Sequence, residues 1–395
     1  MGSAPPVINK PKDTPTPQDA CEEIFGTFGV DDIAVFPEEV REKCAESYFN
    51  LSKMGVFVFA IDRGIFREPH IVKDPAELVR SQGTYRIAHH YYKKLIQPQP
   101  ALVQLAQKIL GVAGEDKIIL SLESKQTREN GGHYQSGLSS VTITDTLSQI
   151  PGKGWQRGML GLYALYHELG HRLMYLLYKN HLPFYWGSGH DEDAPSLAES
   201  FTNPAAAWTE GFADGMMELE SAMMNSLNPI DLQSTPDWFQ LPLEKRMSNE
   251  YVVGAILRDY IQSKTHEGNV THVTYDEKSK ARLNQMMDVM QTAGPQNNFC
   301  EFVADFLALH PEEEHDFGIV LHKYGMDDVQ THAPNFIDRF VCANERTSIW
   351  KKLDATHHIR TKLLDPTIPI QTKLKLKEKI EAAIKVAASR DRFEF

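Results

Sequence analysis

Residues 155–178 read WQRGMLGLYALYHELGHRLMYLLY. Leu160, Leu162, Leu165, Leu169, Leu173, Leu176 and Leu177 spread apolar side chains around most of a helix, so the stretch predicts a long buried helix, preceded by Gly152 and Gly154. A membrane span is the poorer reading of the same text. His167, Glu168, His171 and Arg172 fall in its middle, where a charged group in lipid costs about 2.5–3.5 kcal/mol, and no second comparable apolar segment exists. The segment therefore reads as a core helix whose centre carries polar groups that face little water.

Those groups form His167-Glu168-Leu169-Gly170-His171, an H-E-x-x-H match. Residues four apart share one helix face, so both imidazoles can point at one ion. Glu168 is offset by one residue, close enough to take a proton from metal-bound water without ligating. Catalytic zinc needs a third protein ligand. The extension H-E-x-x-H-x-x-G-x-x-H is absent, because Met174 and Leu177 occupy the Gly and His positions. A second helix is predicted over 204–224, with Pro204 tolerated in its first turn. It carries Trp208-Thr209-Glu210-Gly211-Phe212-Ala213-Asp214, and Glu210 lies 210 − 171 = 39 positions after the second histidine. Asp214, one turn further on the same face, can accept a hydrogen bond from the remote N–H of a ligating imidazole. The bulky neighbours Trp208 and Phe212 argue against a solvated face. A competing pair stands at Glu301 and Asp305 in Cys300-Glu301-Phe302-Val303-Ala304-Asp305-Phe306, 301 − 171 = 130 positions on.

The combination resembles the zincin metallopeptidases of the Glu-ligand type, the gluzincins, across roughly residues 115–225. That resemblance implies zinc held by His167, His171 and Glu210, with Glu168 as general base and Asp214 behind an imidazole. It also implies an edge strand before the metal helix, a role that 140–144 would fill by pairing with an extended peptide. The Glu301 segment is similar to the ligand helix of lethal-factor-like proteases, which keeps Glu301 as an alternative metal ligand. A donor for the developing oxyanion is also required, from Tyr185, His190, Tyr251, His310, His322 or Tyr324. Tyr251 is favoured, since its segment follows the ligand helix and is expected to fold back over the site.

Around this centre the text reads as α+β. Val56 to Ile61, Lys117 to Leu122 and Ser140 to Thr144 are strand-like, with turn chemistry at Asn130-Gly131-Gly132. Helical spacing recurs over 37–51, 75–95, 245–262, 278–292 and 298–309. The expected organisation is a disordered Pro-rich tail (1–18), a mixed accessory region (19–107), a helix-rich zincin-like catalytic domain with a small sheet (108–330) and a helical C-terminal region (331–395). In the last helix Leu376, Ile380, Ala383, Ile384 and Ala387 form an apolar stripe that reads as a docking face, with a membrane-surface or partner helix as the alternative.

The 395 residues, 42% hydrophobic and 24% charged, are ordinary globular values. A formal charge of −12 argues against a dedicated nucleic-acid binder. Cys21, Cys44, Cys300 and Cys342 form no C-x-x-C pair, so neither a disulfide framework nor a thiolate cluster is expected. The N-terminus lacks an apolar h-region, which suggests a cytoplasmic chain or one exported without a cleavable signal. His89-His90 and His357-His358 read as surface pairs, and His190-Asp191-Glu192-Asp193 as a solvated acidic loop. No G-x-S-x-G elbow, P-loop or dinucleotide fingerprint stands in a suitable context. The expectation is a Zn2+-dependent peptidase, rather an endopeptidase, acting on a protein or peptide. Its rivals are a non-catalytic zinc-stabilised scaffold and a toxin-type protease acting on a host protein.

Overall fold

A computed structural model describes residues 57–61, 69–74, 100–114, 117–123, 132–135, 140–144, 154–179, 197–221, 229–235, 237–262 and 277–390, with isolated positions 39, 42, 77 and 183. The tail 1–18, the expected helices at 37–51 and 75–95, and the turn residues 130 and 131 lie outside them or nearly so. The protein is α+β and dominated by helices. It divides into two compact units, Met1–Leu165 and Tyr166–Phe395, so the segment expected as one catalytic domain contributes to both.

The first unit holds a five-stranded sheet, β1 (Phe57–Ile61), β2 (His70–Ile71), β3 (Ile118–Glu123), β4 (Gly132–Gln135) and β5 (Ser140–Thr144), in the order β2-β1-β3-β5-β4. β1, β3 and β5 run parallel, with Phe57 opposite Ile118 and Ile119 opposite Ser140. Helix α1 (Pro100–Ala113) makes the crossover between β1 and β3 that a parallel pair requires. Phe57, Phe59, Ala60, Ile118 and Leu120 are buried, as a parallel sheet demands of its inner strands.

One expectation is corrected here. The strand 140–144 is not the edge of the sheet: it pairs with β3 on one side and with β4 on the other. Gly132, the last residue of the segment read as a turn, begins β4, which lies antiparallel on β5 and is the outermost strand on that side among the described residues. Chain order does not carry lateral order, and a short strand beginning at glycine gives little periodic signal.

The second unit is built from the C-terminal part of α2 (Gly154–Leu177), α3 (Pro204–Ser221), α4 (Pro229–Ser234), α5 (Leu243–Arg246), α6 (Glu250–Ile261), α7 (Glu277–Ala293), α8 (Phe299–Leu309), α9 (Glu314–Lys323) and α10 (Val329–His332). α11 (Phe336–Asn344), α12 (Ser348–His357), α13 (Ile359–Leu364) and α14 (Ile370–Arg390) complete it. The single helix expected over 245–262 is two. The short α5 stops at Arg246, with Met247 as its C-cap, and Asn249 then caps α6, its side chain accepting from the Val252 N–H at 2.9 Å. Asn203 caps α3 in the same way, accepting from Ala205 and Ala206. In the C-terminal region Phe336, Ile337, Val341, Trp350, Ile359, Leu363, Leu374 and Ile380 form one core, with Leu376 and Ile384 packed against it. The stripe on α14 is thus a docking face onto α11–α13. Among the described residues no helix is long and apolar enough to cross a membrane.

Candidate metal centre

α2 and α3 lie antiparallel, and glycine sets how closely they approach. A Cβ placed on Gly170 would stand 2.8 Å from the Ala213 Cα, far inside contact distance, so the helices touch backbone to backbone at this point. On its other side α3 meets α6 just as closely. A Cβ on Gly211 would lie 2.7 Å from the Glu250 carbonyl oxygen, and one on Gly254 3.0 Å from the Gly211 carbonyl oxygen. The helix that carries Glu210 is therefore clamped between two others with no side-chain layer to give. The G-x-x-x-G spacing of Gly211 and Gly215 is the sequence signal of this close approach, one that the metal motif does not contain.

This clamp brings three polar atoms together. The Nε2 atoms of His167 and His171 are 3.0 Å apart, and each lies 3.1 Å from the same Oε2 of Glu210. The rings stand nearly perpendicular, with centroids 4.6 Å apart. Behind His167, the Nδ1–H donates to Asp214 Oδ1 at 2.8 Å, so Nε2 is the nitrogen that turns to its neighbours and that offers a lone pair once the ring is neutral. The side chains of His167 and His171 are only 12% and 11% exposed.

Hydrogen bonding alone fits this triangle poorly. Each Nε2 carries at most one hydrogen, so two nitrogens facing each other and one shared oxygen cannot satisfy three contacts at once. A cation accepts all three lone pairs together. Donors bound at about 2.0–2.2 Å in a tetrahedron are roughly 3.3–3.6 Å apart, a few tenths of an ångström beyond the spacing found. Among the described residues these three form the group that could hold a metal ion. Two imidazole nitrogens and one carboxylate suit zinc, and such N/O donors also take other divalent first-row ions.

The electrostatics agree with a cation site. Burial alone would push the His167 imidazole down, but hydrogen bonds and charge attraction from Asp214 and Glu210 outweigh it and hold the group well above its ordinary range. Burial would likewise raise Glu210, yet the attraction of His171 and hydrogen bonds from both imidazoles keep its carboxyl well below the usual carboxylate range. A divalent ion entering the triangle would thus displace a proton, and acid would compete with it.

Glu168, 8% exposed, sits on α2 between the two histidines. Tyr251 is half-buried in the first turn of α6, next to Glu250, whose carbonyl covers Gly211 beside Glu210. Glu301 does not join the triangle: its Oε2 accepts from the Asn297 N–H and Nδ2 at 2.9 and 3.2 Å. Asp305 receives Arg339 and Gln296 at 2.6 and 2.8 Å. Tyr324 is buried and donates to Asp259 at 2.8 Å, while His322 is exposed beside Asp327 and His310 lies 3.2 Å from Glu312. His357 and His358 are exposed. Tyr185, His190, the acidic loop and the pair at 89 and 90 lie outside the described residues. Comparison with family models, with curated proteins and with solved structures finds no match for this chain.

Proposed function

We propose that the protein is a zinc-dependent peptidase of the zincin kind, hydrolysing peptide bonds of a protein or peptide substrate. The observation that carries the reading is the convergence of His167, His171 and Glu210 on one point, with Glu168 on the same helix and Asp214 behind the first imidazole. A divalent ion held there supplies Lewis acidity and lowers the pKa of a bound water. Asp214 holds the His167 ring in one tautomer, so that its Nε2 is offered as a lone pair. Glu168 takes the proton of the attacking water and returns it to the leaving nitrogen, a contribution of about 10²–10⁴-fold for a positioned base. Tyr251 is the favoured donor toward the oxyanion, on the helix that abuts α3 at Gly211, the residue after Glu210. A scaffold needs the ligands but not the glutamate between them, which is why the enzyme reading is preferred.

The test is Glu168→Gln. Metal content and melting temperature should stay at the wild-type level, while cleavage of a diverse peptide library falls by orders of magnitude. Wild-type protein that carries metal yet cleaves nothing in that library, or a variant as active as wild type, would overturn the reading.

A further inference from the structure

Trp208, two residues before the ligand Glu210, anchors one end of a buried hydrogen-bond chain that the proposed chemistry does not use. Its indole N–H donates to the Tyr178 hydroxyl at 3.0 Å. That hydroxyl donates to Gln296 Oε1 at 2.7 Å, and Gln296 Nε2 donates to Asp305 at 2.8 Å. Arg339, on α11 of the C-terminal region, closes the chain on the same Asp305 oxygen at 2.6 Å. Trp208, Gln296 and Asp305 are fully buried and Tyr178 is 2% exposed. The indole stacks on Phe302 of α8 at 4.7 Å, with Phe299 and Phe212 alongside. Gly294 is pressed against the Tyr178 ring, where a Cβ would stand 2.6 Å from it.

The location gives this chain its meaning. His167, His171, Met174 and Tyr178 follow one another at helical spacing along a single face. The α2–α3 pair is therefore tied at two places. One tie is the His167–Asp214 bond with the His171–Glu210 contact, and the other, two turns along, is Tyr178–Trp208. A helix that slips by one residue moves about 1.5 Å along its axis, half the 3.1 Å that now separates the third ligand atom from the imidazoles. The metal triangle tolerates no such slip, and the second tie prevents it. Asp305, by receiving Gln296 and Arg339 together, extends that tie to α8 and α11.

We propose that the relay Trp208–Tyr178–Gln296–Asp305–Arg339 is a positioning element of the metal centre, through which α8 and the C-terminal helices hold Glu210 in register with the two histidines. The proposal rests on the metal-site reading above. It also gives the Glu301–Asp305 helix a purpose other than ligation. These five are positioning residues: none touches the ligand atoms, and each acts through the helix that carries them.

Co2+ alone is the probe, titrated into metal-free full-length protein at neutral pH, with affinity and the intensity of its visible bands as readouts. Tyr178→Phe, Asp305→Asn and Arg339→Gln should each weaken Co2+ about tenfold, at the low end of the roughly 10–100-fold range for groups that orient a ligand. They should also alter the band intensities, which report coordination geometry. Arg339→Lys should recover much of the loss, and Tyr178→Phe combined with Asp305→Asn should be no worse than the weaker single variant. Tyr260→Phe is the control, a buried hydroxyl of the same unit that donates to Glu313 at 2.8 Å outside the relay. It should lose stability but leave Co2+ affinity and spectrum unchanged. Should Tyr178→Phe fail to fold, Arg339→Gln, at the half-buried end of the relay, carries the test. If wild type binds Co2+ and the relay variants bind it equally well, this inference falls and the metal site stands. Losses in every variant, Tyr260→Phe included, in proportion to melting temperature would also overturn it. A wild type that takes no Co2+ removes both.

Discussion

Gly170→Ala is the sharpest test of how this site is built. In an exposed helix interior the change would stabilise by about 1 kcal/mol, since alanine is the better helix former. Here the new methyl would meet the Ala213 Cα at 2.8 Å, its carbonyl oxygen at 3.2 Å and its Cβ at 3.3 Å. Backbone is what it meets, so no side chain can swing aside. Relaxation to an ordinary carbon contact of about 3.5–4.0 Å pushes α3 away from α2 by roughly 0.7–1.2 Å. Overpacking of this kind costs about 1–3 kcal/mol, so with the gain in propensity the metal-free protein should lose only about 0–2 kcal/mol. The metal site should suffer more. Glu210 Oε2, now 3.1 Å from each Nε2, would retreat beyond the roughly 3.3–3.6 Å span of donors that share one tetrahedral ion. Affinity should drop at least about tenfold, or about 1.4 kcal/mol. The assay is chelator competition beside urea unfolding of the metal-free form. Gly111→Ala in α1, where a Cβ meets nothing within 4 Å, is the control and should leave metal affinity alone. Metal affinity within twofold of wild type in Gly170→Ala would refute the argument that backbone contact sets the ligand spacing.

Two further outcomes follow from the same geometry. Glu210→Ala should strip the metal, while Asp214→Asn weakens it by about 10–100-fold and Glu301→Ala leaves it near wild type; zinc release to a chelator reads all three, and loss of metal in Glu301→Ala would move the site to α8. Burial pushes the Asp305 carboxyl up to about 6 against an ordinary 3.8, with Arg339 and Gln296 offsetting only part of the shift. The native state then holds this proton more tightly than the unfolded chain, so Asp305's contribution is most favourable below about pH 4, declines through about pH 6 and stays flat above, a penalty of roughly 3 kcal/mol at neutral pH. Asp305→Asn cannot titrate, so the difference between the two urea-unfolding profiles should change with pH across that window; parallel profiles would contradict the assignment.

The pattern of residues determined a good deal by itself. Helical spacing located α2 within a residue at each end, and the four-residue step between His167 and His171 obliged them to share a face wherever the helix packed. Asn203, Asn249 and Asn298 each stand one residue before a helix and cap it, so those starts are local chemistry. β1, β3 and β5 were legible as short runs rich in apolar, β-branched or aromatic residues. The order of those strands was not, because lateral neighbours are chosen by long-range pairing, and β4 took the edge assigned to β5. Nor could spacing decide between Glu210 and Glu301, two carboxylates with an aspartate one turn beyond. Only the packed structure separates them: Gly170, Gly211 and Gly254 let α3 lie against its neighbours at backbone distance and carry Glu210 to the histidines. Asn297 and Arg339 meanwhile claim the carboxylates of α8. Local sequence sets which atoms a helix can offer; which helix stands opposite is decided by close packing among segments far apart in the chain.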